Sequence, residues 1–221
     1  SLSNSYINHL RVTRDGRLWV ATQEGLNLYD PDRDTFVAYL HDSRSPYGLS
    51  VNDVRFILED SQGRIWLGTR GGFHQFLPDS KSFTRYFYDP YPPDTGDSMV
   101  WTLAEARDGR IWIGNRTGGL TRFDPQHHSF RHYRHRDGYT SSLSHNDVRS
   151  LYVDRDNHLW IGTYGGGLNL LRDGEETFVH FPYDPRQKND RVWSIFEDTG
   201  GNLWVGDGTA VNFRDRATGA W

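Results

Sequence analysis

Five copies of one short pattern at nearly equal spacing constrain this chain more than any other feature. Aligned on a tryptophan, they read Asp15-Gly16-Arg17-Leu18-Trp19-Val20-Ala21-Thr22, Gln62-Gly63-Arg64-Ile65-Trp66-Leu67-Gly68-Thr69, Asp108-Gly109-Arg110-Ile111-Trp112-Ile113-Gly114-Asn115, Asp156-Asn157-His158-Leu159-Trp160-Ile161-Gly162-Thr163 and Gly200-Gly201-Asn202-Leu203-Trp204-Val205-Gly206-Asp207. The tryptophans stand 47, 46, 48 and 44 residues apart. A period of that length, made of short apolar runs punctuated by Gly and Asp, marks a repeat array whose units cannot bury their hydrophobic faces alone. The period overrides the length of 221 residues, which by itself admits one large domain or two small ones.

One unit can be read from its tryptophan. Twelve residues before it stand Ile7, Val54, Val100, Val148 and Val192, and nine before it Leu10, Ile57, Leu103, Leu151 and Ile195. These apolar places define a first strand, A. Three residues before the tryptophan come Gly16, Gly63, Gly109, Asn157 and Gly201, and Gly with Asn as its one substitute marks a turn residue of positive φ. Strand A and the tryptophan strand B therefore form a hairpin. Beyond Gly25, Gly72, Gly118-Gly119 and Gly165-Gly166-Gly167 a third apolar run begins at Leu26, Phe73, Leu120 and Leu168, and it ends at Asp30-Pro31, Pro78, Asp124-Pro125 or Asp173-Gly174. A fourth strand opens at Phe36, Phe83, Phe130 and Phe178. Four antiparallel strands in about 46 residues are one β-propeller blade.

The expected fold is therefore all-β, a β-propeller of four-stranded antiparallel blades with five repeats present. The blades span approximately 1–47, 48–93, 94–141, 142–185 and 186–221, the last without its outer strand, since Trp221 stands where Phe36 opens that strand in blade 1. Five blades could close with one three-stranded, or the array could be part of a longer one, which we expect. Such an array would expose the faces of its end blades and invite pairing with another copy. The repeated tryptophan is expected to pack between blades.

Composition narrows the function. A net charge of -4 gives no basic face for nucleic acid, zero cysteines exclude disulfides and thiolate metal sites, and no apolar run reaches the ~18 residues of a membrane span. Aromatic residues at 14% with 23 glycines suit a sheet protein rich in tight turns. No cofactor, nucleic-acid partner or membrane contact by this segment is expected.

In a propeller, the loops leading into strand A and the B to C loops lie on one face. Eleven residues before each tryptophan the sequence has Asn8, Arg55, Trp101, Arg149 and Trp193, a variable place in an otherwise constant frame. The B to C loops add Gln23-Glu24, Arg70, Arg116, Tyr164 and Asp207. Tryptophan faces and arginine forks suit a sugar or acidic sugar, by stacking and by bidentate hydrogen bonds. The candidate ligand-binding residues are thus Trp101, Trp193, Arg55, Arg149, Tyr164, Arg70 and Arg116. The plainer alternative is that the tryptophans pack against neighbouring blades while the arginines satisfy acidic residues of strand A.

Three other patterns point to structure. The run from Gln126 to His135 contains His127, His128, His132 and His135, but strand alternation divides them between two faces, and a solvated strand edge is expected instead of a metal site. Glu59-Asp60, Glu197-Asp198 and Asp154 recur at the A to B turn, where Asp accepts turn amides, so no catalytic carboxylate pair is expected. The glycine runs join strand to strand and make no phosphate loop.

The run Ser142-Leu143-Ser144-His145-Asn146-Asp147-Val148, followed by Asp154, Leu159-Trp160-Ile161-Gly162-Thr163 and Gly166-Gly167-Leu168, resembles the two-component regulator propeller repeat. Gly48-Leu49-Ser50-Val51-Asn52-Asp53-Val54, with Asp60, Gly63 and Ile65-Trp66-Leu67-Gly68-Thr69, matches almost as well. Units three and five depart at Asp94-Thr95-Gly96 and Arg186-Gln187-Lys188. The resemblance implies a periplasmic, non-enzymatic sensor region of a bacterial signalling receptor, ahead of a membrane helix and a histidine kinase or other output domain, with oligosaccharides as ligands. A protein-interaction or dimerisation scaffold is the alternative, and a propeller lyase or hydrolase the second.

Overall fold

The computed structural model describes residues 1–86, 98–181 and 190–221. The departures at Asp94-Thr95-Gly96 and Arg186-Gln187-Lys188, and the blade boundaries beside them, lie outside the described residues. Blade 1 comprises β1 (Ile7–Val12), β2 (Leu18–Thr22), β3 (Gly25–Asp30) and β4 (Thr35–Tyr39). Blade 2 comprises β5 (Val54–Glu59), β6 (Ile65–Thr69), β7 (Gly72–Leu77) and β8 (Ser82–Tyr86). Blade 3 comprises β9 (Val100–Glu105), β10 (Ile111–Asn115), β11 (Leu120–Asp124) and β12 (Ser129–Tyr133). Blade 4 comprises β13 (Val148–Val153), β14 (Leu159–Thr163), β15 (Leu168–Leu171) and β16 (Phe178–Phe181), and blade 5 has three strands, β17 (Val192–Glu197), β18 (Leu203–Asp207) and β19 (Val211–Arg214). Each sheet pairs its strands in chain order. The chain forms two compact units, Ser1–Leu103 and Ala104–Trp221, divided within β9.

The A to B turns take the conformation their residues dictate. Gly16, Gly63, Gly109 and Gly201 have φ of 83°, 81°, 79° and 85°, and Asn157 reaches 64° in the same place. That left-handed conformation suits Gly, and Asn is among the few side chains that tolerate it. The aspartate opening the turn links it to the tryptophan. Asp60 Oδ1 accepts the N–H groups of Gln62 (3.0 Å) and Arg64 (2.9 Å), while its Oδ2 accepts the Trp66 indole N–H at 2.8 Å. Asp154 and Asp198 accept the indoles of Trp160 and Trp204 in the same way, at 2.8 and 2.9 Å. One carboxylate thus closes a turn and fixes the ring that follows six residues later.

Each blade buries its tryptophan face against the sheet that follows, where the units hold one. In the first unit Trp19 of blade 1 is fully buried and meets Phe76 of blade 2 edge to face, with ring centroids 5.0 Å apart. In the second, Trp112 joins Leu159 and Ile161 in one core, and Trp160 and Leu170 pack with Val192, Leu203 and Val205 in another. At roughly 25 cal/mol per Å², burying a ring of about 200 Å² contributes about 5 kcal/mol before chain entropy is counted. The glycine two residues beyond the tryptophan makes a notch for the next blade. A Cβ built on Gly68 would come within 2.6 Å of Val100 Cγ1, and one on Gly162 within 2.5 Å of Val192 Cγ1.

A second bracket spans the repeat in blades 1 and 4, with a variant in blade 2. Ser3 donates its backbone N–H to Asn27 Oδ1 (3.0 Å) and Asn27 Nδ2 donates to Ser3 Oγ (2.8 Å); Ser144 and Asn169 repeat the pair at 3.0 and 2.7 Å. In blade 2 the buried His74 replaces the asparagine and accepts the Ser50 N–H at Nε2. Burial, with a contribution from Arg85, pushes the His74 pKa down to about 4.

Candidate functional site

The variable place eleven residues before the tryptophan has a structural identity that its spacing does not reveal. In β1, β5, β13 and β17 the register against the tryptophan strand slips there, between Ile7 and His9, Val54 and Phe56, Val148 and Ser150, and Val192 and Ser194. Asn8, Arg55, Arg149 and Trp193 are therefore the extra residues of β-bulges. A bulge re-aims its side chain and frees that position from the demands of the ladder, which explains why chemistry varies there while its neighbours do not.

In the first unit the bulge residues interact from blade to blade. Asn8 Nδ2 donates to Asp53 Oδ1 (3.2 Å) and to the Val54 carbonyl (2.7 Å). Arg55 donates to Asp53 Oδ2 at 2.5 Å, and its guanidinium lies over the Trp101 ring, 5.1 Å from the centroid. Arg70 is exposed on the turn after β6, with its backbone N–H on the Asp53 carbonyl at 2.9 Å. Asp53 thus gathers Asn8, Arg55 and Arg70 around one residue. The Arg55 charge is already balanced by Asp53, and Arg70 is the exposed guanidinium of the group.

The second unit holds the denser arrangement. Arg149 grips Asp147 with Nε and NH2 at 2.7 and 2.8 Å, and its guanidinium faces both the Tyr164 ring (4.8 Å) and the Trp193 ring (5.5 Å). The two rings meet edge to face at 5.5 Å. Arg191 covers Tyr164 at 4.3 Å from the centroid, an approach fixed by a bridge between the two backbones. Trp193 remains 46% exposed, and Arg191 is exposed beside it. Arg116 lies exposed on the turn between β10 and β11 of blade 3. Arg191 lies outside both the bulge place and the B to C loops, the two sets of positions that the sequence pattern singles out. Its signal was present two residues earlier, where Asp53 and Asp147 precede the arginines and Arg191 precedes Trp193.

The B to C turns that carry Arg70 and Tyr164 are pinned from below. Buried Thr69 and Thr163 donate their hydroxyls to the carbonyls of Gly72 (3.0 Å) and Gly167 (2.9 Å). Asp207, on the equivalent turn of blade 5, is spent on structure. Burial raises its pKa, but hydrogen bonds from Thr209, Ala210 and Asn212 outweigh that and lower it overall.

The remaining acidic and histidine patterns have structural partners. Glu59 and Glu197, each with a side chain only 6% exposed, bind Arg14 and Arg155 of the preceding blade. His127 meets Asp124 at 3.1 Å, His132 meets Thr121 at 3.0 Å, and His135 meets the Leu143 carbonyl at 2.8 Å. Each histidine is thereby drawn to a different place. Among the described residues no helix is long and apolar enough to cross a membrane.

The profile of the two-component regulator propeller repeat matches residues 1–24, 48–71, 96–117, 142–165 and 187–209, together just over half of the chain. No curated protein matches the sequence. The chain is similar to the extracellular domain of a hybrid two-component system of B. thetaiotaomicron, at 25% identity and a TM-score of 0.82, over 99% of this chain and 30% of that one. A second such domain from B. thetaiotaomicron shares the fold at 23% identity and a TM-score of 0.76, over 95% and 27% of the two chains. Virginiamycin B lyase from Staphylococcus aureus shares it at 14% identity and a TM-score of 0.73, over 96% and 68%. The chain therefore spans under a third of the length of the two-component domains it matches. With its five blades built on one repeated frame, the chain belongs to the two-component regulator propeller family.

Proposed function

We propose that this chain is a ligand-sensing, non-catalytic segment of a bacterial transmembrane receptor of the hybrid two-component kind, facing the periplasm and recognising an oligosaccharide. Its similarity to extracellular domains of such systems supports the receptor context. One observation carries the site: the bulge residue of blade 5, Trp193, presents a 46% exposed ring beside Tyr164, Arg149 and Arg191. An exposed indole offers a face for a pyranose ring, and an arginine beside it offers donors for hydroxyls or a carboxylate. In the first unit the half-buried Trp101 ring and the exposed Arg70 offer related chemistry, with Arg55 held between Asp53 and that ring. Arg191 occupies the position where blades 2 and 4 place Asp53 and Asp147, so its charge favours an acidic sugar over a neutral one.

The rings are held by bulges and pinned turns, so the ligand meets a largely preformed surface. Signal output would arise from a ligand binding one arrangement of the receptor better than another, since a ligand shifts an equilibrium only by its differential affinity. Calorimetric titration of neutral and uronate-containing oligosaccharides tests the reading. Trp193→Ala is expected to weaken binding about 10- to 100-fold, on the order of 1–3 kcal/mol for a stacked ring. Arg191→Ala should weaken acidic ligands selectively. Binding unchanged by Trp193→Ala and Trp101→Ala together, or turnover of the oligosaccharide, would overturn the proposal.

A further inference from the structure

A pocket of about 300 Å³ opens beside the outer strands β12 and β16 of blades 3 and 4, within the second unit. Arg131, Tyr133, Arg134, Arg136, Tyr139 and Glu176 stand in its wall. The bulge residues Arg149 and Trp193 belong instead to β13 and β17, the first strands of their sheets.

The repeat frame is broken here in blade 3. Arg131 stands where blades 1, 2 and 4 have Val37, Thr84 and Val179, and Arg134 where they have Leu40, Phe87 and Pro182. Arg136 replaces an acid, since the other three blades have Asp42, Asp89 and Asp184 at that place. Three guanidinium groups therefore enter one short stretch at places that carry no positive charge in those blades.

Their surroundings differ. Glu176 holds Arg131 at 2.8 Å, and the Arg131 guanidinium lies over the Tyr133 ring, 5.5 Å from its centroid. The guanidinium groups of Arg134 and Arg136 have no partner among the described residues. Glu176 is the one carboxylate among the described residues of the wall, which leaves two positive charges in excess. The loop carrying Arg136 is set in advance. Ser142 Oγ accepts the Arg136 N–H at 3.0 Å and donates to the Tyr139 carbonyl at 2.8 Å, and the Ser141 carbonyl accepts the Phe178 N–H of β16 at 2.9 Å. Tyr139 is 65% exposed, so its ring is available to the remainder of a ligand.

Two free guanidinium forks suit a doubly charged oxyanion better than a single carboxylate, which one fork satisfies. A phosphate monoester carries about −1.5 to −2 charges at pH 7, which matches the excess of this wall. We propose that the pocket binds a phosphate group, as the free ion or as a monoester, on Arg134 and Arg136, with Arg131 as a further donor. This site is separate from Trp193, Tyr164 and Arg191, and the proposal does not depend on oligosaccharide binding.

Calorimetric titration in a phosphate-free buffer of low ionic strength tests it, with inorganic phosphate, glucose 6-phosphate and acetate as probes. Both phosphates should bind, and acetate, with one charge, roughly 10-fold more weakly or worse. Tighter binding of glucose 6-phosphate assigns the site to monoesters; otherwise the free ion is its occupant. Arg134→Ala combined with Arg136→Ala should weaken both phosphates roughly 100-fold, since hydrogen bonds between charged groups are lost at two places. Neither side chain has a partner in the fold, so the circular dichroism of this variant should match the wild type. Trp193→Ala should leave phosphate binding unchanged. No binding of either phosphate at millimolar concentration, binding that survives the double substitution, acetate bound as tightly as phosphate, or phosphate binding lost with Trp193→Ala would each overturn the proposal.

Discussion

Blades 4 and 5 share one pattern and one compact unit, yet their tryptophans live in different surroundings. Trp160 and Trp204 each donate an indole N–H to the aspartate six residues before, at 2.8 and 2.9 Å. Trp160 is 4% exposed because blade 5 covers it, and Trp204 is 40% exposed. The repeat therefore fixes the local hydrogen bond, and the neighbouring sheet fixes the burial. Sequence identity at a repeat position does not imply equal energy, because most of a large ring's contribution comes from the area its neighbour removes from water.

The largest test of that difference is truncation of the ring itself. Trp160→Ala should destabilise the second unit by about 3–5 kcal/mol, the usual cost of emptying a packed aromatic site, while Trp204→Ala should cost a fraction of that. Urea denaturation of both variants measures the contrast, and equal losses would break it.

Next comes the brace beneath the ring. Asp60 is fully buried, takes two turn amides and the Trp66 indole, and pairs with Arg64 at 2.5 Å. Asp60→Ala should cost about 3 kcal/mol, because it leaves buried donors and a guanidinium without their acceptor. Hydrogen bonds from Trp204 and Asn202 hold the Asp198 pKa down to about 2, but blade 5 is less covered there, so Asp198→Ala should cost clearly less. Thermal unfolding of the two variants ranks them.

A smaller effect follows from pH. His9 of blade 1 stacks on Phe56 of blade 2 at 4.1 Å, and burial, helped by Arg11, pushes its pKa down to about 4. With His74 also lowered to about 4, the folded first unit binds fewer protons than its unfolded chain between pH 6.5 and 4. Stability is thus complete above pH 6.5 and falls as the solution is acidified through that window, by at most about 1.4 kcal/mol per pH unit for each histidine. His9→Phe should flatten part of the slope in denaturation midpoints measured across the window. A slope unaffected by this change and by His74→Asn would remove histidine from the explanation.

Much of the fold was legible because a few residues have narrow requirements. Glycine and one asparagine three residues before each tryptophan announced positive φ, and the aspartates announced capped turns. Phe36, Phe83, Phe130 and Phe178 announced the outer strands, and each lies in one. What was not legible depends on register and on contacts across the repeat. The bulge at Asn8, Arg55, Arg149 and Trp193 exists only relative to the partner strand, so spacing marked the place as variable without giving the reason. The bracket between Ser144 and Asn169 joins residues far apart in sequence, and nothing local signals it. Arg55 and Arg149 each pair with an aspartate, Asp53 or Asp147, that stands just before strand A, and neither pairing is announced by the spacing that marks the bulge place. The exposed ring of Trp193 and the exposed charge of Arg191 are what the proposed site rests on.

Indole hydrogen exchange followed by NMR tests most directly whether the neighbouring blade, and not the repeat itself, decides a tryptophan's surroundings. Both indoles are bonded to an aspartate at nearly equal length, so any difference in protection reports coverage. The Trp160 Nε1 proton should exchange slowly, near the rate set by opening of the unit, and that of Trp204 far faster. Equal protection of the two would contradict the assignment of burial to the covering blade.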